Sequence, residues 1–165
     1  TAAKSVDAQS AYESAHTLIP TVMGGVNFAL HSAGWLEGGL VSDFAKLILD
    51  ADQLTMMNSL VSGIDVSENG MALDALKQVG PGQHFLGSEH TQLNFETAFW
   101  RSSIADYTTY EQWSSEGSQE AELRARSRAK QMLDSYQAPE IDKTIDDELR
   151  AFIDRRKNIL PDSDY

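Results

Sequence analysis

Between residues 7 and 23 the apolar positions Ala8, Ala11, Tyr12, Ala15, Leu18, Ile19, Val22 and Met23 recur at helical spacing. This predicts an amphipathic helix with Asp7 as N-cap and Gly24 as stop. Pro20 falls in its last turn, where the missing N–H removes the bond to the His16 carbonyl, so a kink or an early end is expected. The period then changes. In residues 24–40, GGVNFALHSAGWLEGGL, the side chains Val26, Phe28 and Leu30 alternate with Asn27, Ala29 and His31. A period of two belongs to a strand, here short and buried over residues 26–31. Its bulky face would meet covering helices, leaving Asn27 and His31 to point inward. His31 would then stand at the carboxyl end of the strand, where α/β enzymes place their chemistry.

The helical period returns after this loop. Ser42 is the expected cap of a helix whose stripe is Phe44, Leu47, Ile48, Ala51, Leu54, Met57, Leu60 and Val61, ending at Gly63. A shorter helix starts at Ser67 or Asn69, runs through Ala72, Leu76 and Val79, and breaks at Gly80, Pro81 and Gly82. The loop GPGQHFLGSEHT follows. Thr108 and Glu111 fit a capping box for a short helix with Tyr110 and Trp113. Ser118 opens a longer helix with Ala121, Ala125, Ala129, Met132, Leu133 and Tyr136 on one side, ended by Pro139. The last helix, about 142–160, uses Ile145, Leu149, Phe152, Ile153 and Leu160, and PDSDY reads as a frayed tail. No second strand signal of similar quality occurs, and no internal repeat.

Composition narrows the function. The 165 residues, 41% of them hydrophobic, suffice for one modest core, and a formal net charge of -12 argues against nucleic-acid binding, which needs Lys and Arg on phosphates. Positive charge is uneven. Before residue 120 it comes only from Lys4, Lys46, Lys77 and Arg101, whereas Arg124, Arg126, Arg128, Lys130, Arg155, Arg156 and Lys157 crowd the end. That suits a partner-facing surface or a solvated helix face equally. The absence of cysteine removes disulfides, thiolate nucleophiles and Cys-based zinc sites. The start, TAAKSVDAQSAYE, has no leader-like pattern, and no apolar run approaches the roughly 20 residues of a membrane helix. Lacking an initiator Met, it reads as an internal start, so the chain is expected to be the carboxyl-terminal part of a longer protein.

Three features bear on chemistry. His84 and His90, with Glu89, match no metal-ligand spacing, so structural histidines in a packed loop are the expectation and no metal site is assigned. Gly80, Gly82 and Gly87 in the same loop allow close backbone approach to a substrate. The basic run LRARSRAKQM alternates with apolar and acidic neighbours as a salt-bridged solvent face does. Phe28, Trp35 and Phe85 lie nearest the glycine-rich stretches and could offer faces to an ammonium cation. His31 is the sharpest candidate. A lone histidine usually packs, but a strand-end position on a polar inward face favours function.

The succession DAQSAYE, GGVNFALHSAGWLEGGL, SDFAKLILDADQL, ALDALKQVGPGQHFLGSEHT and YEQWSSEGSQEAELRARSRAKQML resembles the carboxyl-terminal third of the trimethylamine methyltransferase family, the corrinoid-dependent methylamine and betaine methyltransferases. The likeness is collinear from residue 8 to about 153. It implies an α/β fold, the last units of a TIM (β/α)8 barrel followed by an α-helical extension. A full barrel takes about 250 residues, so the fragment should be predominantly helical. Residues 1–64 would be the end of the barrel, and residues 65–165 the extension with its Gly-rich loop at 80–91.

The resemblance also implies the activity: transfer of a methyl group from a tertiary or quaternary amine, trimethylamine or a glycine betaine-like donor, to the cobalt of a corrinoid. The cobalamin would be carried by a separate corrinoid protein, with none bound directly here. Members acting on trimethylamine use pyrrolysine, at a position expected at or before the amino end of this chain, so the substrate stays open on that point. His31 would be catalytic, with Asn27, Trp35, Glu37, His84 and Phe85 binding substrate. A cytoplasmic location and self-association of the protein accompany this reading. The competing reading is a non-catalytic helical interaction or dimerisation segment, since a truncated barrel cannot complete a site and exposes sheet edges. Several more strand-helix units upstream in the same reading frame would establish the enzyme.

Overall fold

The computed structural model describes residues 1–160, which are predominantly helical. The chain divides into two compact units, one spanning Thr1–Met132 and one from Leu133 onward. Helix α1 covers Ala8–Met23 and opens with the expected cap. The Asp7 carboxylate accepts the Ser10 N–H at 3.0 Å, while the Ser10 hydroxyl accepts the Asp7 N–H at 3.1 Å. Pro20 does not end the helix early. Its ring removes one donor, but its own carbonyl still accepts the Gly24 N–H at 2.8 Å, and the last turn closes at Met23.

The strand expected over residues 26–31 is not formed. Val26, Phe28 and Leu30 are 55%, 77% and 68% exposed, so their alternation builds no buried face. A strand draws its backbone hydrogen bonds from a neighbour, and no ladder partner lies beside this segment among the described residues. The extended pairs come later: β1, Trp35–Leu36, runs antiparallel to β2, Val41–Ser42, with Trp35 opposite Ser42 and Leu36 opposite Val41. A single turn of 3-10 helix at Glu37–Gly39 joins them, with Gly38 and Gly39 at positive φ.

Helix α2, Phe44–Val61, is capped by Asp43 rather than Ser42, which is engaged in β2; the Asp43 carboxylate accepts the Lys46 N–H at 2.9 Å. Its buried face also differs from expectation. Of the expected stripe Met57 is buried and Ile48 packs against the core, but Phe44, Leu47, Leu60 and Val61 are exposed, and Ala45, Lys46 and Asp50 are buried instead. A stripe drawn from apolar residues alone misses an ion pair, and that pair turns a different side of α2 toward α1, its packing partner.

The helix expected from Ser67 to Val79 is split by Ala72, at φ 51, into α3, Glu68–Met71, and α4, Leu73–Val79. Ser88 caps α5, Glu89–Asn94, so the glycine-rich loop ends sooner than expected and His90 is helical. Thr109 caps α6, Tyr110–Ser115, because the hydroxyl of Thr108 is taken by Asp106 at 2.6 Å. Helix α7, Ala121–Asp134, starts three residues after Ser118, which adopts φ 51, and stops well before Pro139. Asp142 caps α8, Lys143–Ile159. The closing PDSDY, expected to fray, lies outside the described residues.

The core of the first unit gathers Ala45, Ile104 and Ala125, with Val6, Ile48 and Leu49 packed against them. Ala45 of α2 and Ala125 of α7 meet here around Ile104. Asp52 secures the segment carrying Ile104: its carboxylate accepts the Ser102 hydroxyl at 2.5 Å and the Ser103 N–H at 2.8 Å. No helix of the described residues is long and apolar enough to cross a membrane.

Candidate functional site

The Lys46 to Asp50 spacing puts both side chains on one face of α2, one turn apart. Both are buried, at 1% and 5% exposure, and the ammonium is paired with Asp50 Oδ1. Its Nζ also donates to the Ser14 hydroxyl of α1 at 2.7 Å. Asp50 Oδ2 accepts the Gly34 N–H at 3.0 Å. This network ties α1, α2 and the loop before β1 at one point. Gly34 sits at φ +83 with its position against Leu47, where a side chain would crowd the helix. Its carbonyl accepts the Asp43 N–H at 2.9 Å, so both its polar groups are used.

Anchoring Gly34 positions His31 and Trp35 on either side of it. Their ring centroids are 5.0 Å apart with planes at 41°. His31 has φ 57, a left-handed conformation uncommon outside glycine and concentrated where a site dictates the backbone. The two rings line a cleft of about 220 Å³ together with Glu13, Ser14 and Asp50. Asp50 is paired with the Lys46 ammonium, whereas Glu13 has no cationic side chain against it among the described residues and is the carboxylate whose charge faces the cleft unbalanced. Hydrogen bonds from the Gln9 amide and the Ala2 N–H hold its carboxyl below the usual range, and it is anionic at neutral pH. An anionic group beside two aromatic faces suits a small organic cation.

The other expected residues lie elsewhere. Asn27 is exposed and does not line this cleft. Glu37, at φ 49, is exposed, and its N–H donates to the Ala3 carbonyl at 2.9 Å. His84 and Phe85 are exposed on the 80–88 loop and are not brought to His31. His90 has a structural place: its Nε2 pairs with the Asn69 carbonyl at 2.8 Å, beside the reciprocal amide contacts of Asn69 and Asn94 at 2.8 and 3.1 Å. No group of three His, Asp or Glu able to hold a metal occurs among the described residues.

Sequence reading missed Glu13, Ser14, Lys46 and Asp50. One signal was available: a lone lysine in the apolar run FAKLILDADQL with a carboxylate four residues on. Glu13 had none, because its place depends on how α1 packs.

A helical chain that presents an aromatic and acidic cleft suits the handling of a small cationic molecule. The family described as Trimethylamine methyltransferase (MTTB) matches residues 1–161, and the chain belongs to it. The chain is 39% identical over 153 residues to the glycine betaine methyltransferase of Desulfitobacterium hafniense strain Y51, covering 93% of this chain and 32% of that protein. It is 28% identical to the trimethylamine methyltransferase MttB of Desulfitobacterium hafniense strain DSM 10664 / DCB-2, covering 92% and 30%. With trimethylamine methyltransferase MttB2 of Methanosarcina mazei the identity is 27%, covering 93% and 30%. The chain therefore spans about a third of the length of the curated relatives it matches.

Proposed function

We propose that the protein to which this chain belongs transfers a methyl group from a quaternary or tertiary amine to the cobalt of a corrinoid carried by a partner protein. The observation that carries the reading is the His31–Trp35 ring pair in a cleft with the anionic Glu13. The relatives' names supply the donor class, and the higher identity to a glycine betaine methyltransferase favours a betaine over trimethylamine. In the reaction the N–CH3 bond breaks with its electron pair left on nitrogen, and the methyl is taken by the cobalt, a second substrate. The residues of this chain bind and orient. Trp35 and His31 offer faces to the methylammonium group, and Glu13 balances its charge.

On this reading residues 1–64 are the end of a TIM barrel, in which neighbouring strands outside this chain would supply the ladder that residues 26–31 need. Residues 65–165 are its helical extension. Asn27, Glu37, His84 and Phe85 would reach the substrate only in that complete setting, and the enzyme works in the cytoplasm as a homo-oligomer. A purely structural interaction segment is the weaker reading, because methyltransferases match more than nine-tenths of the chain.

The test uses the complete enzyme with reduced corrinoid protein and a donor panel of glycine betaine, proline betaine, carnitine and trimethylamine. Absorbance should report methylated cobalamin with a betaine only when all three components are present. His31→Ala should lower the rate with helix content unchanged. No transfer from any donor, or a fully active His31→Ala enzyme, overturns the assignment or the residue respectively.

A further inference from the structure

Helix α8 carries an apolar surface built from Ile145, Leu149, Phe152 and Ile159, spaced four, three and seven residues apart, which is the rhythm of a coiled-coil seam. Ile145, Leu149 and Phe152 are half exposed and Ile159 is 71% exposed. Glu148 and Arg155 line the same surface as Ile145, Leu149 and Phe152. They are seven residues apart, so they occupy equivalent flanking positions of successive heptads, on one edge of the seam. The acidic residue lies toward the amino end and the basic one toward the carboxyl end. Arg150 is already paired with Asp146 along the helix at 2.8 Å. Glu148 and Arg155 take part in none of the ion pairs within the described residues.

Charge placement selects both the occupant and its direction. In an antiparallel pair of identical helices the same edge of each helix meets, so Glu148 falls opposite Arg155 of a second copy. Two-fold symmetry repeats the contact with the roles exchanged. A parallel pair would instead set Glu148 beside Ile153 and Arg155 beside Leu160, with no charge complement. We propose that α8 is an isologous dimerisation helix that pairs antiparallel with α8 of a second copy of this chain. Phe152 lies near the two-fold axis, and Ile145 of each copy approaches the carboxyl end of the other. Arg156, the charged residue within the seam, lies beside Arg155 and comes within the same reach of the second copy's Glu148.

Sedimentation equilibrium of the complete enzyme, as in the methyl-transfer test, tests this. The enzyme should associate reversibly. Because the pairing is symmetric, Glu148→Arg turns two attractions into two repulsions and should weaken association roughly ten-fold or more. Arg155→Glu should do the same. The double variant E148R/R155E should regain tight association, since the exchanged charges face one another again; this gain cannot arise from damage to the fold. Far-ultraviolet circular dichroism should be alike for all four proteins. An enzyme that stays monomeric up to millimolar concentration overturns the proposal. So do single variants that associate as tightly as the parent, or a double variant as weak as the singles.

Discussion

Two glycine-rich loops of this chain look alike on paper and differ in what holds them. The loop of residues 24–42 and the loop of residues 80–88 each contain glycines, an aromatic and a histidine. The first is held from a distance: Gly34 by Asp50, Glu37 by the Ala3 carbonyl and Gly38 by the Thr1 carbonyl. The second shows only short-range bonds, Gly80 to Leu76 and Ser88 to Phe85. Each is near a lysine-aspartate pair, and the pairs differ in the same way. Lys46 and Asp50 are buried, whereas the side chains of Lys77 and Asp74 are 76% and 89% exposed. Glycine content makes a loop possible, but a buried acceptor makes it a scaffold for side chains.

The largest effect should come from Lys46. Lys46→Met leaves Asp50 buried without its cation, an arrangement that costs about 3–5 kcal/mol. Lys77→Met should cost about 0–1 kcal/mol, as expected of an exposed pair. Urea titration of both variants checks the contrast, and equal midpoints would remove the distinction between the loops. Replacing both members of the buried pair should hurt less than Lys46→Met alone, but Gly34 would then lose its acceptor.

Alanine in place of single glycines should give a smaller difference of the same sign. At Gly34 an added Cβ meets left-handed backbone and lies 3.2 Å from Leu47 Cβ. At Gly82, with φ +75, nothing lies within 4 Å. Gly82→Ala should therefore carry only the conformational penalty, about 1–2 kcal/mol, and Gly34→Ala that plus the shift of Leu47. Thermal midpoints decide the order. Phe28→Ala should change stability by no more than about 0.5 kcal/mol in this chain, because the ring is 77% exposed.

What was legible in the sequence follows the same division. Local signals were readable: the Asp7 cap and the extents of α1 and α8 rest on residues a few positions apart. So was the family, which rests on collinear segments. The strand at 26–31 was not, because alternation states which face would be buried without providing a neighbour to bury it. The split at Ala72 has no local signal either, since alanine is a strong helix former. At the candidate cleft, His31 was singled out for the end of a strand that is not formed, and Trp35 for its place near the glycines. Their partners Glu13, Ser14 and Asp50 come from two other elements, and only packing joins them.

The smallest predicted effect concerns acid, and it separates local capping from long-range anchoring. Asp7, before α1, is held below the usual carboxylate range by the Ser10 N–H and then by the Ser5 hydroxyl. Asp65, before α3, is lowered first by the Ser67 N–H and then by the Ser67 hydroxyl. For a carboxylate whose folded value is depressed, the stabilisation is fully present above its unfolded value, near pH 4. It is lost as pH falls through the lowered folded value. Both groups are local and exposed, so both regions should lose this support over the same acidic window, despite their different loops. Amide resonances of Ser10 and Ser67, which donate to these carboxylates at 3.0 and 2.8 Å, can follow each titration separately. Similar midpoints below the ordinary carboxylate value are expected. If Ser10 instead titrates at a clearly higher pH than Ser67, then the α1 cap is not set by its local bonds alone, and the packing of α1 takes part in holding the start of the helix.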